Sequence, residues 1–219
     1  MDSRSIFRPI VPVYDLLNRL LSLGIDQSWR REAARRFSAG RVLDLACGTG
    51  DLSLALAPRC RVVGADILPE MLARAMTKKR AARFYFPLVA AAGESLPFKA
   101  ASMDGVTVAF GVRNFADREA GLKEMARVIR PGGRAVILEF AMPDRKGLRS
   151  LYLSYFRGVL PFLGRVVSGD ERAYSYLPES VLNFPPPAEF RREILGAGFS
   201  EVTIQDLTFG IVRLYDARR

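Results

Sequence analysis

The stretch that most constrains the fold is residues 41–51, Arg-Val-Leu-Asp-Leu-Ala-Cys-Gly-Thr-Gly-Asp. Residues 42–45 are mostly apolar and predict a short buried strand. Gly48 and Gly50 follow in a turn with little side-chain bulk, and the apolar run that begins at Asp51 predicts a helix. A buried strand, a glycine turn and a helix form the first half of a βαβ unit. In such units a ligand lies against the turn and the N-terminus of the helix.

The residues of this turn favour a cationic ligand over a dinucleotide. Ser53 stands where the dinucleotide fingerprint requires a third glycine or an alanine. Asp44, at the end of the strand, would repel a pyrophosphate and attract a cation. The segment Asp-Leu-Ala-Cys-Gly-Thr-Gly resembles motif I of class I S-adenosylmethionine (SAM) methyltransferases, whose ligand carries an ammonium and a sulfonium group. The resemblance implies four cofactor-binding residues: Asp44, Gly48, Thr49 and Gly50. The alternative is a tight turn that binds no ligand.

A second acidic residue follows at the spacing that ribose binding requires. Asp66 ends the second predicted strand, residues 61–66, and comes 18 residues after Gly48. Acidic side chains about 20 residues beyond such a turn reach ribose hydroxyls. A carboxylate can accept two hydrogen bonds from a vicinal diol, although Asp66 could instead cap the next helix. Ile67 is assigned to the same cofactor site, and Met71 lies where an adenine could stack or where the core could pack.

The charge of the chain indicates an anionic partner. Lys and Arg number 33 against 23 Asp and Glu, which gives a net charge of +10. Nucleic acid and the surface of an anionic membrane are the partners that such a charge favours. A general preference for arginine is the alternative, because only five of the 33 cations are lysine.

The composition also excludes whole classes of chemistry. The chain has no histidine, so histidine metal sites, catalytic triads and imidazole bases are excluded, and we expect no metal. Cys47 and Cys60 are the two cysteines, and no signal peptide or run of 18 apolar residues is apparent. These features predict a cytoplasmic protein with free thiols and no membrane-spanning segment.

Strand and helix patterns alternate along the rest of the chain. Further strands are predicted at 84–90, 103–109 and 135–140, and helices at 117–129 and 187–197. Residues 199–209 and 210–215 predict a closing antiparallel pair. The alternation predicts an α/β fold with a doubly wound, Rossmann-like, mostly parallel sheet. We expect a single domain over residues 1–219, with a helical cap at 1–40 and a substrate-side or membrane-side insertion at 145–185.

The insertion has a composition of its own. Residues 145–168 are aromatic, apolar and basic, and no acidic residue occurs between Arg145 and Asp170. Such a segment can lie in a membrane interface, or it can form a helix that closes a substrate pocket. The segment from Tyr174 to Ser180 is predicted to be a turn on the substrate side.

Over nearly its whole length the chain resembles the C-methyltransferases of menaquinone and ubiquinone biosynthesis. The most specific matching segments are Tyr14-Asp15-x-x-Asn18, Phe110-Gly-Val-Arg113-Asn114 and Tyr174-x-Tyr176-Leu-Pro-Glu179-Ser180. Further matches are Leu96-Pro97-Phe98, Arg130-Pro-Gly-Gly133, Leu138-Glu139-Phe140 and Leu207-Thr208-x-Gly210-Ile-Val212. The resemblance implies the seven-stranded sheet of class I methyltransferases and SAM as the cofactor.

Two positions depart from the family pattern at the cofactor site. The family usually has Asp or Asn where Ala92 stands, and a serine is common where Ala109 stands. The contact with the adenine amine must then come from the Gly93 backbone or from Glu94. We therefore add Ala92, Gly93 and Ala109 to the expected cofactor site.

The resemblance implies methylation of a ring carbon of a prenylated quinol, with demethylmenaquinol favoured over the benzoquinol precursor of ubiquinone. In this reaction Arg113 would stabilise the phenolate, Asn114 would orient the ring, and Tyr14 would hydrogen-bond to it or stack on it. Asp15 and Asp117 are further candidates for managing the phenol proton, although Asp117 also suits a helix N-cap.

Two other functions are open at this point: a nucleic-acid methyltransferase, and a non-catalytic SAM-binding partner in a quinone-synthesis complex. The prenyl tail and the basic charge favour peripheral binding to an anionic membrane at its inner face over nucleic acid as the partner. The oligomeric state is also open, and a homodimer is one of the expectations.

Overall fold

The computed structural model describes residues 3–155, residue 158 and residues 172–219. Elements are numbered here as they occur in this part of the chain. The helices are α1 (Ser3–Phe7), α2 (Tyr14–Ser22), α3 (Asp26–Arg35), α4 (Asp51–Leu56), α5 (Pro69–Ala81), α6 (Arg118–Val128), α7 (Lys146–Ser154), α8 (Arg172–Leu182) and α9 (Pro187–Gly196). The strands are β1 (Arg41–Leu45), β2 (Arg61–Asp66), β3 (Leu88–Ala90), β4 (Met103–Ala109), β5 (Ile129–Phe140), β6 (Glu201–Leu207) and β7 (Val212–Arg218). Short 3-10 turns occupy Arg8–Val13, Val112–Asn114 and Thr208–Gly210.

The seven strands form one sheet in the order β3-β2-β1-β4-β5-β7-β6. The first five strands of that order pair in parallel, whereas β7 is antiparallel to both β5 and β6. The predicted doubly wound, mostly parallel sheet with an antiparallel C-terminal pair is confirmed. Strand order reverses between β1 and β4, and the crevice beyond the carboxyl ends of such strands is where open α/β sheets bind ligands.

Alternation along β1 distributes its side chains between the two faces of the sheet. Leu43 and Leu45 are buried in the core cluster that includes Phe190 of α9. Val42 is buried on the opposite face, in the cluster that includes Trp29 of α3 and Leu52 of α4. Because side chains alternate with a period of two, Asp44 faces α4 like Val42.

Several predicted boundaries differ from the structure. The third strand covers only Leu88–Ala90, not residues 84–90, because Pro87 has no N–H to donate to the ladder. Its carbonyl accepts a hydrogen bond from the Gly64 backbone N–H (3.0 Å) instead. The fifth strand begins at Ile129, not at residue 135. It starts earlier because Ile129 pairs with Met103 across a register shift.

The predicted turn from Tyr174 to Ser180 is wrong, because this segment lies within helix α8. Pro178 suggested a turn, but it is accommodated inside the helix. Val181 of the same helix is buried in a cluster with Ile10 and Leu17. Tertiary packing of the apolar face therefore outweighs the low helix propensity of proline. Of the predicted insertion, residues 156–157 and 159–171 lie outside the described residues.

Candidate functional site

A cavity of about 670 Å³ opens at the carboxyl ends of β1, β2 and β4. This volume falls within the range of about 300–1,000 Å³ that is usual for small-molecule sites. Ten of the thirteen residues predicted from the sequence line it: Tyr14, Gly48, Asp66, Ile67, Met71, Ala92, Gly93, Ala109, Arg113 and Asn114. Asp44, Thr49 and Gly50 do not line it.

The glycine turn brings its backbone close to the cavity. Gly48 has φ +54°, and a Cβ placed there would meet only the edge of Tyr14, at 3.9 Å. Gly50 has φ +86°, and its Cβ would lie 3.2 Å from that of Ala75 in α5. Gly48 therefore leaves room for a ligand, whereas Gly50 is required by its conformation and by the close approach of α5.

Asp66 fixes the wall between the ends of β1 and β2. Its Oδ2 accepts a hydrogen bond from the Gly48 backbone N–H (2.8 Å), and its Oδ1 accepts one from the Leu68 N–H (2.9 Å). Burial raises the pKa of Asp66, and the backbone N–H groups oppose this shift. Each carboxylate oxygen keeps a second lone pair, so the side chain can still accept hydrogen bonds from a diol in the cavity.

Asp44 lies behind the turn, on the face of β1 that packs against α4. Its Oδ2 accepts a hydrogen bond from the Ser53 hydroxyl (2.5 Å). Its Oδ1 is buried without a hydrogen-bond partner among the described residues. Burial raises the pKa of Asp44 to about 7, and the hydrogen bond from Ser53 and the charge of Arg30 act against this shift. The unpartnered oxygen is an acceptor suited to a cationic group bound at the turn.

Thr49 turns towards the N-terminal helices instead of the cavity. Its hydroxyl donates to Asp15 Oδ1 (2.5 Å) and accepts from Lys78 Nζ (3.1 Å). Lys78 also donates to Asp15 Oδ2 (3.0 Å) and forms an ion pair with Asp51. This network joins α2, α5 and the start of α4, so we assign Thr49 and Asp15 to holding the turn in place.

The loop after β3 forms the end of the cavity assigned to adenine. Ala92 and Gly93 line it, and a Cβ at Gly93 would lie 2.6 Å from the ring of Phe115. Glu94 Oε1 accepts from the backbone N–H groups of Ala116 (2.6 Å) and Asp117 (3.3 Å). That oxygen therefore ties two loops together, which favours the Gly93 backbone as the partner of an adenine amine.

Arg113 is held rigidly at the opposite end of the cavity. Its Nη1 donates to Glu139 Oε2 (2.9 Å) and to the Phe110 carbonyl (2.6 Å). Its backbone N–H donates to Glu139 Oε1 (3.2 Å), and its guanidinium carbon lies 5.5 Å from the centre of the Phe140 ring. Nε of Arg113 is buried and has no hydrogen-bond partner in the part of the chain that the structure describes.

A set of aromatic and amide side chains surrounds Arg113. The Tyr176 hydroxyl donates to Asn114 Oδ1 (2.8 Å). Burial raises the pKa of Tyr176, and Arg113 opposes this shift. Phe7 packs edge-to-face against both Tyr14 and Tyr176, with ring centres 6.3 and 6.2 Å apart. Tyr176 therefore stays protonated near neutral pH and orients the Asn114 amide.

Sequence reasoning missed the roles of Glu139 and Phe7. A single acid within the apolar run of β5 was the available signal for Glu139, which is 1% exposed. Two of the predicted candidates for managing the phenol proton lie outside the cavity lining. Asp117 caps α6 by accepting from the Ala120 N–H (2.9 Å), and neither Asp117 nor Asp15 lines the cavity.

A second cavity of about 500 Å³ adjoins the first. The two share five lining residues: Phe7, Tyr14, Phe110, Arg113 and Tyr176. The walls of the second cavity are mostly aliphatic and aromatic side chains from α2, α3, α7 and α8. Arg113 thus lies between a first cavity with both polar and apolar walls and a second cavity with mostly apolar walls.

Fold and site together are those of a class I SAM-dependent methyltransferase. A SAM-dependent methyltransferase from Thermotoga maritima superposes with a TM-score of 0.69 at 18% identity, over 98% of this chain and 99% of that one. Phosphoethanolamine N-methyltransferase 2 of Haemonchus contortus, solved in complex with SAM, gives a TM-score of 0.64 at 14% identity, over 88% of this chain and 52% of that one. Likeness at these identities shows the fold.

The chain belongs to the ubiE/COQ5 methyltransferase family, whose model matches residues 2–218. Demethylmenaquinone methyltransferase of Thermus thermophilus is 49% identical, over 96% of this chain and 98% of that protein. Ubiquinone/menaquinone biosynthesis C-methyltransferase UbiE of Syntrophotalea carbinolica is 46% identical, over 100% of this chain and 94% of that protein. Demethylmenaquinone methyltransferase of Deinococcus radiodurans is 45% identical, over 97% and 90%. The family predicted from the sequence is confirmed.

Proposed function

We propose that this protein is a SAM-dependent C-methyltransferase that converts demethylmenaquinol to menaquinol. The observation that carries the proposal is the position of Arg113, which lines both the cavity with the cofactor motif and an adjoining apolar cavity. Family membership and relatives of 45–49% identity that carry the name demethylmenaquinone methyltransferase support it.

The residues of the first cavity fit SAM in charge and shape. Asp66 offers acceptors for ribose hydroxyls, Gly48 leaves space beside the backbone, and the buried Asp44 Oδ1 lacks a donor. We assign the adenine end to Ile67, Met71, Ala92 and Gly93, with Ala109 beside the turn. When bound, SAM supplies an electrophilic methyl group on a sulfonium. The carboxylates of Asp44 and Asp66 suit an ammonium group and a ribose by their charge and hydrogen-bonding capacity.

Arg113 is the catalytic residue that we assign to the phenolic oxygen of the quinol. A ring carbon next to this oxygen becomes more electron-rich when the oxygen loses its proton. A guanidinium fixed by Glu139 and the Phe110 carbonyl stabilises the resulting negative charge in a site shielded from bulk water. Because these contacts fix the guanidinium before substrate arrives, little reorganisation is needed at the moment of reaction. Nε has no partner among the described residues and keeps a donor for the substrate.

Asn114 and Tyr14 are assigned to orienting the quinol ring. Tyr176 fixes the Asn114 amide by donating to its oxygen, which leaves the amide N–H₂ group for other acceptors. The Asn114 Nδ2 lies 3.3 Å from the Phe110 carbonyl and is positioned beside the same strand end as Arg113. Positioning within about 3–3.5 Å of the reacting atom is the main requirement for such a transfer.

The phenol proton leaves by way of water in this scheme, and the proton on the methylated ring carbon then leaves by the same route, which restores the aromatic ring. An arginine does not act as a free base, and the raised pKa of Tyr176 keeps that hydroxyl protonated. Asp15 is engaged with Thr49 and Lys78, away from the cavity. A water molecule beside the Arg113 guanidinium is therefore the proposed proton acceptor.

Other substrates are less well supported. The benzoquinol precursor of ubiquinone is the second candidate, because the relative from Syntrophotalea carbinolica is named for both quinones. Membership of a quinone-methylating family disfavours a nucleic-acid methyltransferase and a non-catalytic partner.

We further infer that the protein binds the surface of an anionic membrane, where prenylated quinols reside. The net charge of +10 and the basic segment 145–168 support this. None of the helices in the described part of the chain has the length and apolar character needed to cross a bilayer. Flotation with anionic and neutral vesicles tests the inference. Equal flotation after neutralising Arg149, Arg157 and Arg165 would contradict it. We also propose that the protein is located in the cytoplasm and that it forms a homodimer.

Mass spectrometry of quinones from a strain that lacks this gene tests the proposed function. We expect a quinone one methyl group lighter to accumulate, and its ring identifies naphthoquinol or benzoquinol as the substrate. Unchanged quinones in that strain would contradict the proposal, provided that no second copy of the gene is present.

A further inference from the structure

The second cavity has an apolar mouth at its outer end. Four of its lining side chains are large, apolar and exposed: Leu20, Leu23, Ile25 and Leu151, at 42%, 87%, 39% and 67%. They come from the end of α2, the loop that follows it, and α7. At the inner end the cavity reaches Arg113, Tyr14 and Tyr176, which also line the first cavity. The second cavity therefore runs from Arg113 to the surface of the protein.

Leu23 at this mouth is held in an unfavourable backbone conformation. Its φ is +52° and its ψ is +32°, which is the left-handed region where a helix ordinarily ends in glycine. A leucine there costs about 1 kcal/mol or more relative to glycine. The next residue is Gly24, also at positive φ (+76°). A large apolar side chain kept at a strained, exposed position indicates a role at the mouth and not in folding.

The walls of the second cavity are built by the N-terminal helices and by α8. Leu17 and Leu21 of α2 line it together with Leu177 of α8 and Leu148 of α7. The Tyr155 hydroxyl donates to the Leu21 carbonyl (2.9 Å), which fixes α2 to the segment that follows α7. A cavity with these walls accepts a hydrocarbon chain, since its charged lining side chains are already paired. Asp26 pairs with Arg30, and Arg113 pairs with Glu139.

We propose that the second cavity is the binding site for the isoprenoid tail of the quinol, which leaves through the mouth at Leu23 and Leu151. The proposal rests on the proposed function, because it takes the quinol ring to lie at Arg113. A ring at that position has its tail attached beside the reacting carbon, and the adjoining apolar cavity is the route that buries the tail. The N-terminal helices, which were expected to form a cap and to supply Tyr14, thereby also contribute to selection of the tail.

Binding can be measured without turnover through tryptophan fluorescence. Trp29 is the one tryptophan of the chain and lines the second cavity. Bromine quenches tryptophan on close contact, so we expect a brominated dodecanol to quench Trp29 saturably and unbrominated dodecanol to compete with it. The Leu21→Phe variant fills the cavity and should weaken this quenching at least about tenfold, since losing room for two methylene groups is enough for that factor.

Leu16→Phe is the matched control, because Leu16 lies on the same helix, is 53% exposed and does not line the cavity. We expect it to bind the brominated probe as the parent protein does. Leu177→Phe narrows the cavity from α8 and replaces Leu21→Phe in these experiments if that variant does not fold. Absence of saturable quenching in the parent protein, or equal quenching in all these variants, would overturn the proposal.

Kinetics separate this proposal from the proposed function. Reduced naphthoquinone with a farnesyl tail should be methylated with a kcat/KM at least about tenfold above that of the tail-free quinol, and Leu21→Phe or Leu177→Phe should shrink this ratio. Methylation of both quinols with equal kcat/KM would overturn the tail site while leaving the proposed function intact. Saturable quenching by the brominated probe with no methylation of either quinol would contradict the proposed function. It would still support the second cavity as a binding site for a hydrocarbon chain.

Discussion

Arg113 Nη1 and Glu139 Oε2 lie 2.9 Å apart, and their side chains are only 6% and 1% exposed. A buried ion pair is costly to form, because both groups lose their hydration. Here the carboxylate also accepts the Arg113 backbone N–H, and the guanidinium also donates to the Phe110 carbonyl. Such a pair stabilises the fold little but fixes the direction of the guanidinium, which is the property that the proposed reaction needs.

Replacing Arg113 with alanine should abolish turnover while SAM binding survives. Arg113 lies at the junction of the two cavities, and the proposed SAM contacts at Gly48 and Asp66 come from other strands. Removing one stabilising group of this kind lowers kcat by about a hundredfold to a thousandfold or more. Methyl transfer from labelled SAM and calorimetric titration of SAM measure the two properties. Unchanged turnover would remove Arg113 from the mechanism.

The Glu139→Gln variant tests whether Glu139 positions Arg113. Loss of the negative charge leaves the guanidinium less firmly directed, and we expect kcat to fall by about a hundredfold with little change in KM. The melting temperature should also fall, because a buried charge loses its partner. Glu119→Gln is the control, since Glu119 pairs with Lys123 on the surface, where both side chains are more than half exposed. A kcat that falls equally in both variants would contradict the assignment.

The Tyr176→Phe variant removes the donor that fixes Asn114. The Asn114 oxygen then lacks that hydrogen bond, and the lost bond should lower kcat by up to about tenfold. Tyr85 is 95% exposed and lines neither cavity, so Tyr85→Phe should leave kcat unchanged. Steady-state assays of the two variants measure these values of kcat. A Tyr176→Phe enzyme as active as the parent would show that Asn114 is oriented by other contacts.

The affinity for SAM should depend on pH through Asp44. Burial raises the pKa of this carboxyl to about 7 in the absence of ligand, so it is largely protonated below that pH. A bound cation favours the ionised form and lowers this pKa. Affinity should therefore rise as the pH increases towards 7, by up to about tenfold per pH unit, and level off above it. Calorimetry at several pH values measures this.

Asp44→Asn provides the control for that pH dependence. The variant cannot ionise, so its affinity should be weaker near pH 8 and nearly constant between pH 5 and 7. The raised pKa also has a consequence for folding. In the unfolded chain Asp44 has its ordinary pKa near 4, so it ionises at a lower pH than in the folded protein. Ionisation of Asp44 therefore lowers the free energy of unfolding as the pH rises from about 4 to about 7. A parent protein whose SAM affinity is flat over this range would contradict the assignment of Asp44.

Local patterns allowed most of the fold and much of the candidate site to be predicted. The strand, glycine turn and helix around Gly48 are specified by neighbouring residues, and Met103–Ala109 was predicted with its observed bounds. Most predicted site residues meet in one cavity because strands that run in parallel end at one edge.

The remaining parts of the fold and of the site could not be predicted, because they depend on contacts between residues that are distant in the sequence. Glu139 and Arg113 are 26 residues apart, and Asp15 and Lys78 are 63 apart, so no local pattern pairs them. The sequence placed Asp44 at the end of β1, but it did not show that Ser53 of α4 binds this side chain behind the glycine turn. Pro178 shows the converse case, in which a local turn signal is overridden by burial of Val181 in a cluster that includes residues near the N-terminus.

The five side chains common to both cavities imply thermodynamic linkage between their occupants. Phe7 packs against both Tyr14 and Tyr176, so a shift of any of the three by one ligand changes the wall that the other ligand meets. Such coupling is reciprocal: the factor by which SAM changes the affinity for the quinol equals the factor by which the quinol changes the affinity for SAM. The N-terminal helices and α8, which supply this shared aromatic wall, thus set how strongly the two ligands affect each other's binding.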